Sequence, residues 1–351
     1  MSQSAILAQM ERFRRKLYAH DAQALNAMQK AYSGALRELL PKYELLTAQA
    51  LEAGPDATWG LLWRRQRTAD LIAQISGILR QLGADSGEIT RGSKRAVMDM
   101  ALTQAKAMTA KAIGGDEALV SATFNRVPDE ALRNVVGLLA DGTPLDYKFQ
   151  AMAADTVAGV KQTIISGVTQ GHNPRTIAAA LKRHYAGQLV NALTVCRTET
   201  IRAYRTASME SYRANDNIVK GWIWSAGHSP RTCAACWAMD GTYHGLDEEL
   251  NDHPNGRCAM IPVTKTWKEV LGYDVPGASE PAKPYHPGAN FEKLSETQQR
   301  QVLGKARYEL YQNGTDLREF GAMRGGDVWG AQPVVRPLKE LPQLSEDDLA
   351  D

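Results

Sequence analysis

Apolar positions recur along most of this chain at steps of three and four, the spacing that gathers them on one face of an α-helix. From residue 1 to about 115, Ala, Leu, Gln and Arg dominate and β-branched residues are sparse, which predicts long helices. Breaks are expected at Gly54-Pro55-Asp56, from Gly83 to Gly87 and at Gly114-Gly115, and Pro41 is expected to kink or end the first run. Pro128 suits the first turn of a helix through Leu132, Val136 and Leu139. Phe149, Ala153, Val157, Val160, Ile164 and Val168 then form an apolar stripe on a helix that Gly171 stops. Asn173-Pro174 opens another helix, with Asn as N-cap, through Ile177, Ala180 and Leu181. The helix after it carries Leu189, Leu193, Cys196, Ala203 and Ala207.

The period changes after Asn215-Asp216-Asn217. Val219 to Trp224 brings β-branched and aromatic residues together with partial alternation and predicts a strand, and Ile261-Pro262-Val263 is its short partner. A sheet this small cannot bury enough surface to be stable alone. Pro276 to Pro287 is rich in Pro, Gly and Ala and reads as an extended loop or linker. Ser295, with Gln298 three residues on, forms a capping box for a helix through Val302, Leu303, Ala306 and Leu310 that stops at Asn313-Gly314. The acidic end from Leu344 to Asp351 is expected to fray. The pattern therefore predicts a mainly α protein in four stretches: an N-terminal helical region over 1–115, a second helical region over 116–217, an α+β knuckle unit with a short antiparallel sheet over 218–275, and a linker, C-terminal helix and acidic tail over 276–351.

Between the two expected strands lies the densest chemistry, Cys233, Cys236, His253 and Cys258 in the spacing C-x2-C-x16-H-x4-C. Three thiolates and one imidazole suit zinc, a borderline-soft cation that prefers tetrahedral sulfur and nitrogen donors. Four protein ligands would close the site to water and make the ion structural. Taken alone, Cys233 and Cys236 are also compatible with a redox pair, a disulfide or small core residues. His228 and His244 flank the same region and are alternatives to His253 as the fourth ligand. Such a clip, together with packing on the preceding helix, would supply what the small sheet lacks.

Composition narrows the classes. The chain has 351 residues, enough for more than one core, and its hydrophobic fraction of 44% is that of a globular protein with no bilayer-length apolar run. The N-terminal residues lack the pattern of a signal peptide, so synthesis inside the cell is expected, and only 4 cysteines argue for thiolates in a reducing compartment. Cys196 reads as a small core residue. With 41 basic and 39 acidic residues the chain lacks the basic excess of a dedicated nucleic-acid binder. The clusters Arg12, Arg14, Arg15, Lys16 and Arg64, Arg65, Arg67 read as solvated helix faces. Arg197 and Glu199, two residues apart, point to different sides of their helix and cannot simply pair with each other. They read either as surface ion-pair members or as braces that hold the helix against the knuckle.

Arg197-Thr198-Glu199 on a helix, a Trp-bearing strand, Arg231-Thr232-Cys233-Ala234-Ala235-Cys236, the Asp240-Gly241 turn and His253-Pro254-Asn255-Gly256-Arg257-Cys258 together resemble the phage minor head (head morphogenesis) protein family. Its members are similar to protein F of phage Mu and to the head morphogenesis protein of phage SPP1. Residues 298–314 resemble the helix that follows the knuckle in that family, so the resemblance runs from about Thr156 to Leu317. Two departures stand out. Gly256 takes the place of a cysteine often found in the return turn, and His228-Ser229-Pro230 stands where the family tends to carry an acid. The resemblance implies a low-copy capsid component made in the host cytoplasm and carried in the virion, at the portal vertex or inner capsid wall. Its implied partners are the portal protein, the major capsid or scaffolding protein and, weakly, packaged DNA, with no membrane. It implies no catalysis, and no G-x-x-x-x-G-K-[ST], H-E-x-x-H or G-x-S-x-G motif occurs. The competing expectation is a zinc-dependent hydrolase or nuclease with a general base among His228, His244, Asp240 and Glu248.

Overall fold

The computed structural model describes the chain except residues 1–2, 55–57, 59–65, 115–116, 230, 276–279, 283–284, 326–329 and 342–351. In chain order the helices α1 (Gln3–Glu52), α2 (Gln66–Ile113), α3 (Glu117–Thr123), α4 (Asp129–Gly137), α5 (Leu145–Thr169) and α6 (Pro174–Arg213) precede strand β1 (Val219–Ser225). Then follow α7 (Ala234–Met239), β2 (Tyr243–His244), β3 (Ala259–Thr264), α8 (Trp267–Leu271), α9 (Glu296–Leu303), α10 (Lys305–Gln312) and the strands β4 (Gly321–Arg324) and β5 (Gln332–Val335). The protein is mainly α with a small antiparallel sheet, as the periodicity predicts. Among the described residues, no helix is long and apolar enough to cross a membrane.

The chain divides into two compact units, and neither is one of the four consecutive stretches expected above. One comprises residues 19–95 and 135–200, the other residues 1–18, 96–134 and 201–351. Helices of 40 to 50 residues are longer than a single small core, so α1, α2 and α6 each contribute residues to both units.

Among the described residues, the first unit is helical apart from one isolated bridge between Leu138 and Pro144. Met28, Leu39, Tyr43 and Leu46 of α1 meet Ile75 and Leu79 of α2, the expected stripe on α5, and Ile177 and Leu181 of α6. Cys196 lies fully buried in this core. Asn173 caps α6, its Oδ1 accepting from the Thr176 amide at 3.0 Å. Three expected breaks are absent. Pro41 lies on the exposed face of a continuous α1, where the carbonyl it leaves unbonded can be hydrated. Residues 174–213 form one helix rather than two. Gly83 and Gly87 lie within α2 and permit close approach of α5: a Cβ would lie 3.0 Å from the Phe149 carbonyl oxygen at the first and 2.8 Å from Asp146 Oδ1 at the second.

The second unit is built on the sheet β2-β1-β3. Ile223 pairs with Ile261 and Trp224 with Met260, which sets the two faces. One face presents Trp222, Trp224 and Met260 to Met209 and Tyr212 of α6 and Ala105 of α2. The other presents Ile223, Ala259, Ile261 and Val263 to Ile6, Met10 and Phe13 of α1 and Met108 of α2. The start of α1 is therefore half of the sheet's cover. Beyond the sheet, the capping box at Ser295 and Gln298 is present, but Gly304 at φ 73° divides the expected C-terminal helix into α9 and α10. Trp237 of α7 packs with Phe291, Leu303, Tyr308 and Phe320, and the hairpin β4–β5, which the sequence pattern did not signal, folds beside α7. The acidic tail and the Arg64-Arg65 pair lie outside the described residues.

Glu199 defines the polar centre of the helical unit. Its carboxylate accepts from Lys94 Nζ at 2.8 Å with both side chains fully buried, and Lys94 also donates to the Leu138 carbonyl at 2.8 Å. Removing one partner strands a buried charge, so Lys94→Met or Glu199→Leu alone should lower unfolding free energy by about 3–5 kcal/mol. The double variant should recover a large part of that loss, which chemical denaturation of the four proteins would measure.

Candidate metal centre

The knuckle is positioned at both ends by backbone geometry. Cys233 is the N-cap of α7, and its sulfur accepts from the Cys236 amide at 3.4 Å, which turns both thiols toward one side. In the return loop, the Gly256 amide bonds the His253 carbonyl at 2.8 Å and Asn255 adopts φ 62°, closing a tight turn. His253 Nε2 thereby lies 3.4 Å from Cys233 Sγ and 3.3 Å from Cys236 Sγ. Tetrahedral zinc with ordinary Zn–S and Zn–N bonds would separate sulfur and nitrogen donors by about 3.5 Å. The spacing of Cys233, Cys236 and His253 therefore fits the ion inferred from the sequence, whereas Cys258 clusters with Cys236 and Asp252 and not with the full set.

Cys258 meets the site from one side. Cys233, Cys236 and His253 form one group of donors within 4.8 Å of one another, and Cys236, Asp252 and Cys258 form a second, with Cys236 common to both. The charge distribution follows this arrangement. Hydrogen bonding from the Cys236 thiol, with His253 beside it, lowers Cys233 to about 4. The Cys233 thiolate in turn raises His253 to about 9. Cys236 is pushed well above the usual thiol range, first by its bond to Cys233, and Cys258 is raised by burial. A bound cation would take its sulfur donors as thiolates and its imidazole as neutral, so binding would release protons.

Asp252 organises the return loop. Its Oδ1 accepts from the His253 amide at 2.9 Å, while Oδ2 accepts from the Cys258 amide at 3.1 Å and from Arg205 Nη2 at 2.6 Å. Burial alone would raise this carboxyl, but the Arg205 charge and these bonds hold it below its ordinary value. Arg205 also donates to the carbonyls of Cys258 at 2.8 Å and Gly256 at 3.0 Å, so one guanidinium on α6 grips the whole turn. Gly256 is required by the same arrangement: a Cβ there would overlap the Asp252 carboxylate.

The residues singled out as braces are placed elsewhere. Arg197 Nε donates to Asp21 at 3.0 Å and Glu199 accepts from Lys94, partners that belong to the helical unit. The contact expected of them is made two turns further along α6 by Arg205. Arg205 sits in the buried series Ile201, Tyr204, Ser208, Tyr212, and an arginine inside such a series was the available signal.

His228 and His244 are not among the clustered donors. His244 stacks on Trp222 with ring centroids 4.3 Å apart, and its nitrogens contact Glu248 at 2.9 Å and Thr242 at 2.8 Å. His228, at φ 46°, lies between two carboxylates: Nε2 is 2.8 Å from buried Asp240 and Nδ1 is 3.7 Å from Glu11 of α1. Asp240 also accepts from the Ala226 amide at 2.8 Å, Tyr285 at 2.9 Å and Asn290 at 3.1 Å. Burial would lower His228, but its bonds to Asp240 and Glu11 outweigh that and raise it above 6.5.

Two tests follow from this geometry. Gly256→Ala forces Asp252 away from Arg205 and should cost about 1–3 kcal/mol, as overpacking does, read by chemical denaturation. His228 has a raised folded-state pKa, so its stabilisation is complete below 6.5 and is lost as pH rises through the higher folded value. The melting-temperature gap between wild type and His228→Gln should therefore be wider at about pH 6 than at about pH 8.5. A gap independent of pH would mean that His228 stays neutral.

Neither the curated proteins nor the solved structures gave a match to this chain. Among protein families, residues 158–261 match the family model described as Phage Mu protein F like protein. The matched segment is under a third of the chain. It begins within α5, includes the whole of α6, β1, α7 and β2, and ends in β3, so it contains Arg205, Asp252 and all four candidate ligands; the later helix at 298–314 lies outside it. Over residues 158–261, therefore, this chain is similar to the Phage Mu protein F like proteins.

Proposed function

We propose that this chain is a low-copy minor head protein of a tailed bacteriophage, bound at the portal or the inner capsid wall and required for head assembly, DNA packaging or genome delivery. The match of residues 158–261 carries the reading, because it covers the knuckle and the helix that holds it. In this reading Cys233, Cys236, His253 and Cys258 hold one structural zinc ion. The ion clips the β1–α7 turn to the return loop, and Asp252 and Arg205 orient the ligand backbone, as outer-shell groups do at metal sites. The protein acts by docking rather than by chemistry. The alternative of a zinc-dependent hydrolase needs an open metal position and a general base near it. The nitrogens of His228 and His244 each face partners away from the clustered thiols, and Glu248 is bonded to His244 and the Gly245 amide.

Metal analysis of the purified protein should find about one zinc per chain, with Cys233→Ser and Cys236→Ser losing both the ion and thermal stability. A folded wild-type protein free of metal under metal-replete conditions would reject the zinc site. Function is read by complementing a phage that lacks this protein, scoring head incorporation separately from infectivity. Cys236→Ser should fail to enter heads, whereas Glu248→Gln should enter heads and support infection. Normal heads that fail to infect with Glu248→Gln, together with loss of a metal-dependent cleavage activity, would establish the hydrolase instead.

A further inference from the structure

The helical unit carries an open groove between α1 and α2, floored by Ala24 and Leu82 of its core. The two helices run antiparallel there, with Gln49 bonded to Thr68 and Lys42 to Gln74. Along them lie two adjoining cavities of ≈ 410 Å³ and ≈ 560 Å³ that share Ala31 and Asp85 as lining residues. On α1 the lining runs from His20 to Glu38, with Ala24, Ala27, Ala31, Gly34 and Glu38 at steps of three and four and Lys30 and Ala35 beside them. That is the spacing of a helix face that receives another helix. The face spans about five turns, or roughly 27 Å.

The glycines of α2 fall into two groups. Gly83 and Gly87 have an internal reason, the close approach of α5. Gly34 of α1 and Gly77 and Gly92 of α2 also lie inside long helices, where glycine weakens the helix relative to Ala. A Cβ at any of these three would meet nothing within 4 Å, and all three line the groove. Nothing within the described residues requires them to be small. They leave room for a backbone approaching from outside, and an α-helix with a small-residue face is the element that approaches a helix pair so closely.

Charge selects among helices. The cavities are lined by the carboxylates Glu38 and Asp85, and by Glu88, which is paired with Arg91, against one ammonium, Lys30. A second copy offering the same face would set like charges opposite one another. We infer that this groove docks an amphipathic helix of a partner protein, small along its contact face and flanked by Lys or Arg that meet Glu38 and Asp85. The inference does not depend on the function proposed above.

The test uses the full chain and two synthetic helical peptides of about 18 residues, matched in length to the groove. Both carry Ala at the a and d positions; one has Lys at e and g, the other Glu. Fluorescence anisotropy should show the Lys peptide binding at least about tenfold more tightly, with affinity falling as salt is raised. Gly34→Leu and Gly77→Leu should each abolish binding without lowering the melting temperature, because the added side chain enters open space. Glu38→Lys combined with Asp85→Lys, both on the surface, should reverse the preference toward the Glu peptide. Equal binding of the two peptides, binding of neither, Leu variants that bind normally, or a charge reversal without effect would each overturn the inference. So would sedimentation showing that the wild type self-associates through this face and that Gly34→Leu dissociates it.

Discussion

The contact between Arg205 and Asp252 is the constraint on which the knuckle depends. A buried carboxylate needs a cation and several donors to remain charged, and Asp252 has them in Arg205 and two backbone amides. Those amides belong to His253 and Cys258, two of the four candidate ligands. The bonds that satisfy the charge therefore also fix the return turn and aim His253 at the thiols on α7. Arg205 adds two carbonyls of the same loop, so the geometry of a short irregular segment is imposed by a rigid helix. The glycine at 256 follows, since the space beside its Cα is taken by the carboxylate.

The sheet shows the same dependence on neighbours. Three short strands with tryptophans on one side and aliphatic residues on the other have two apolar faces to bury. Helix α6 covers the tryptophan face, and the opposite face is covered by the beginning of α1, some two hundred residues earlier in the chain. The cover is anchored by polar contacts as well: Arg14 donates to Ser225 at the end of β1, and Glu11 faces His228 in the loop that follows. The N-terminal segment is thus a structural part of the knuckle unit, although it lies far outside the family-matched residues.

Glycine serves two purposes in α2, and the difference between them is visible only in space. At Gly83 and Gly87 the missing side chain lets α5 approach, whereas at Gly77 and Gly92 the missing side chain faces open volume. In the sequence all four are simply glycines in a helical pattern, and a cluster of two within five residues reads as a break.

Periodicity alone determined the helical stripe of α5, the Asn173 cap, the strand pair, the Ser295 capping box and the mainly α class, because these depend on interactions between residues close in sequence. The ligand candidates were legible for the same reason: close spacing places thiols on one knuckle whatever the rest of the fold does. Tertiary structure decided the remainder. Pro41 is tolerated because its side of α1 faces solvent, and the pair Arg197 and Glu199 is drawn to Asp21 and Lys94 because those partners are buried beside them in the helical unit. Arg205 became the brace because it alone in its buried series carries a charge that Asp252 can neutralise. Pairings across 47, 105 and 176 residues, as for Arg205–Asp252, Lys94–Glu199 and Arg197–Asp21, leave no local pattern, since complementary charges are specified by position in space and not by interval along the chain.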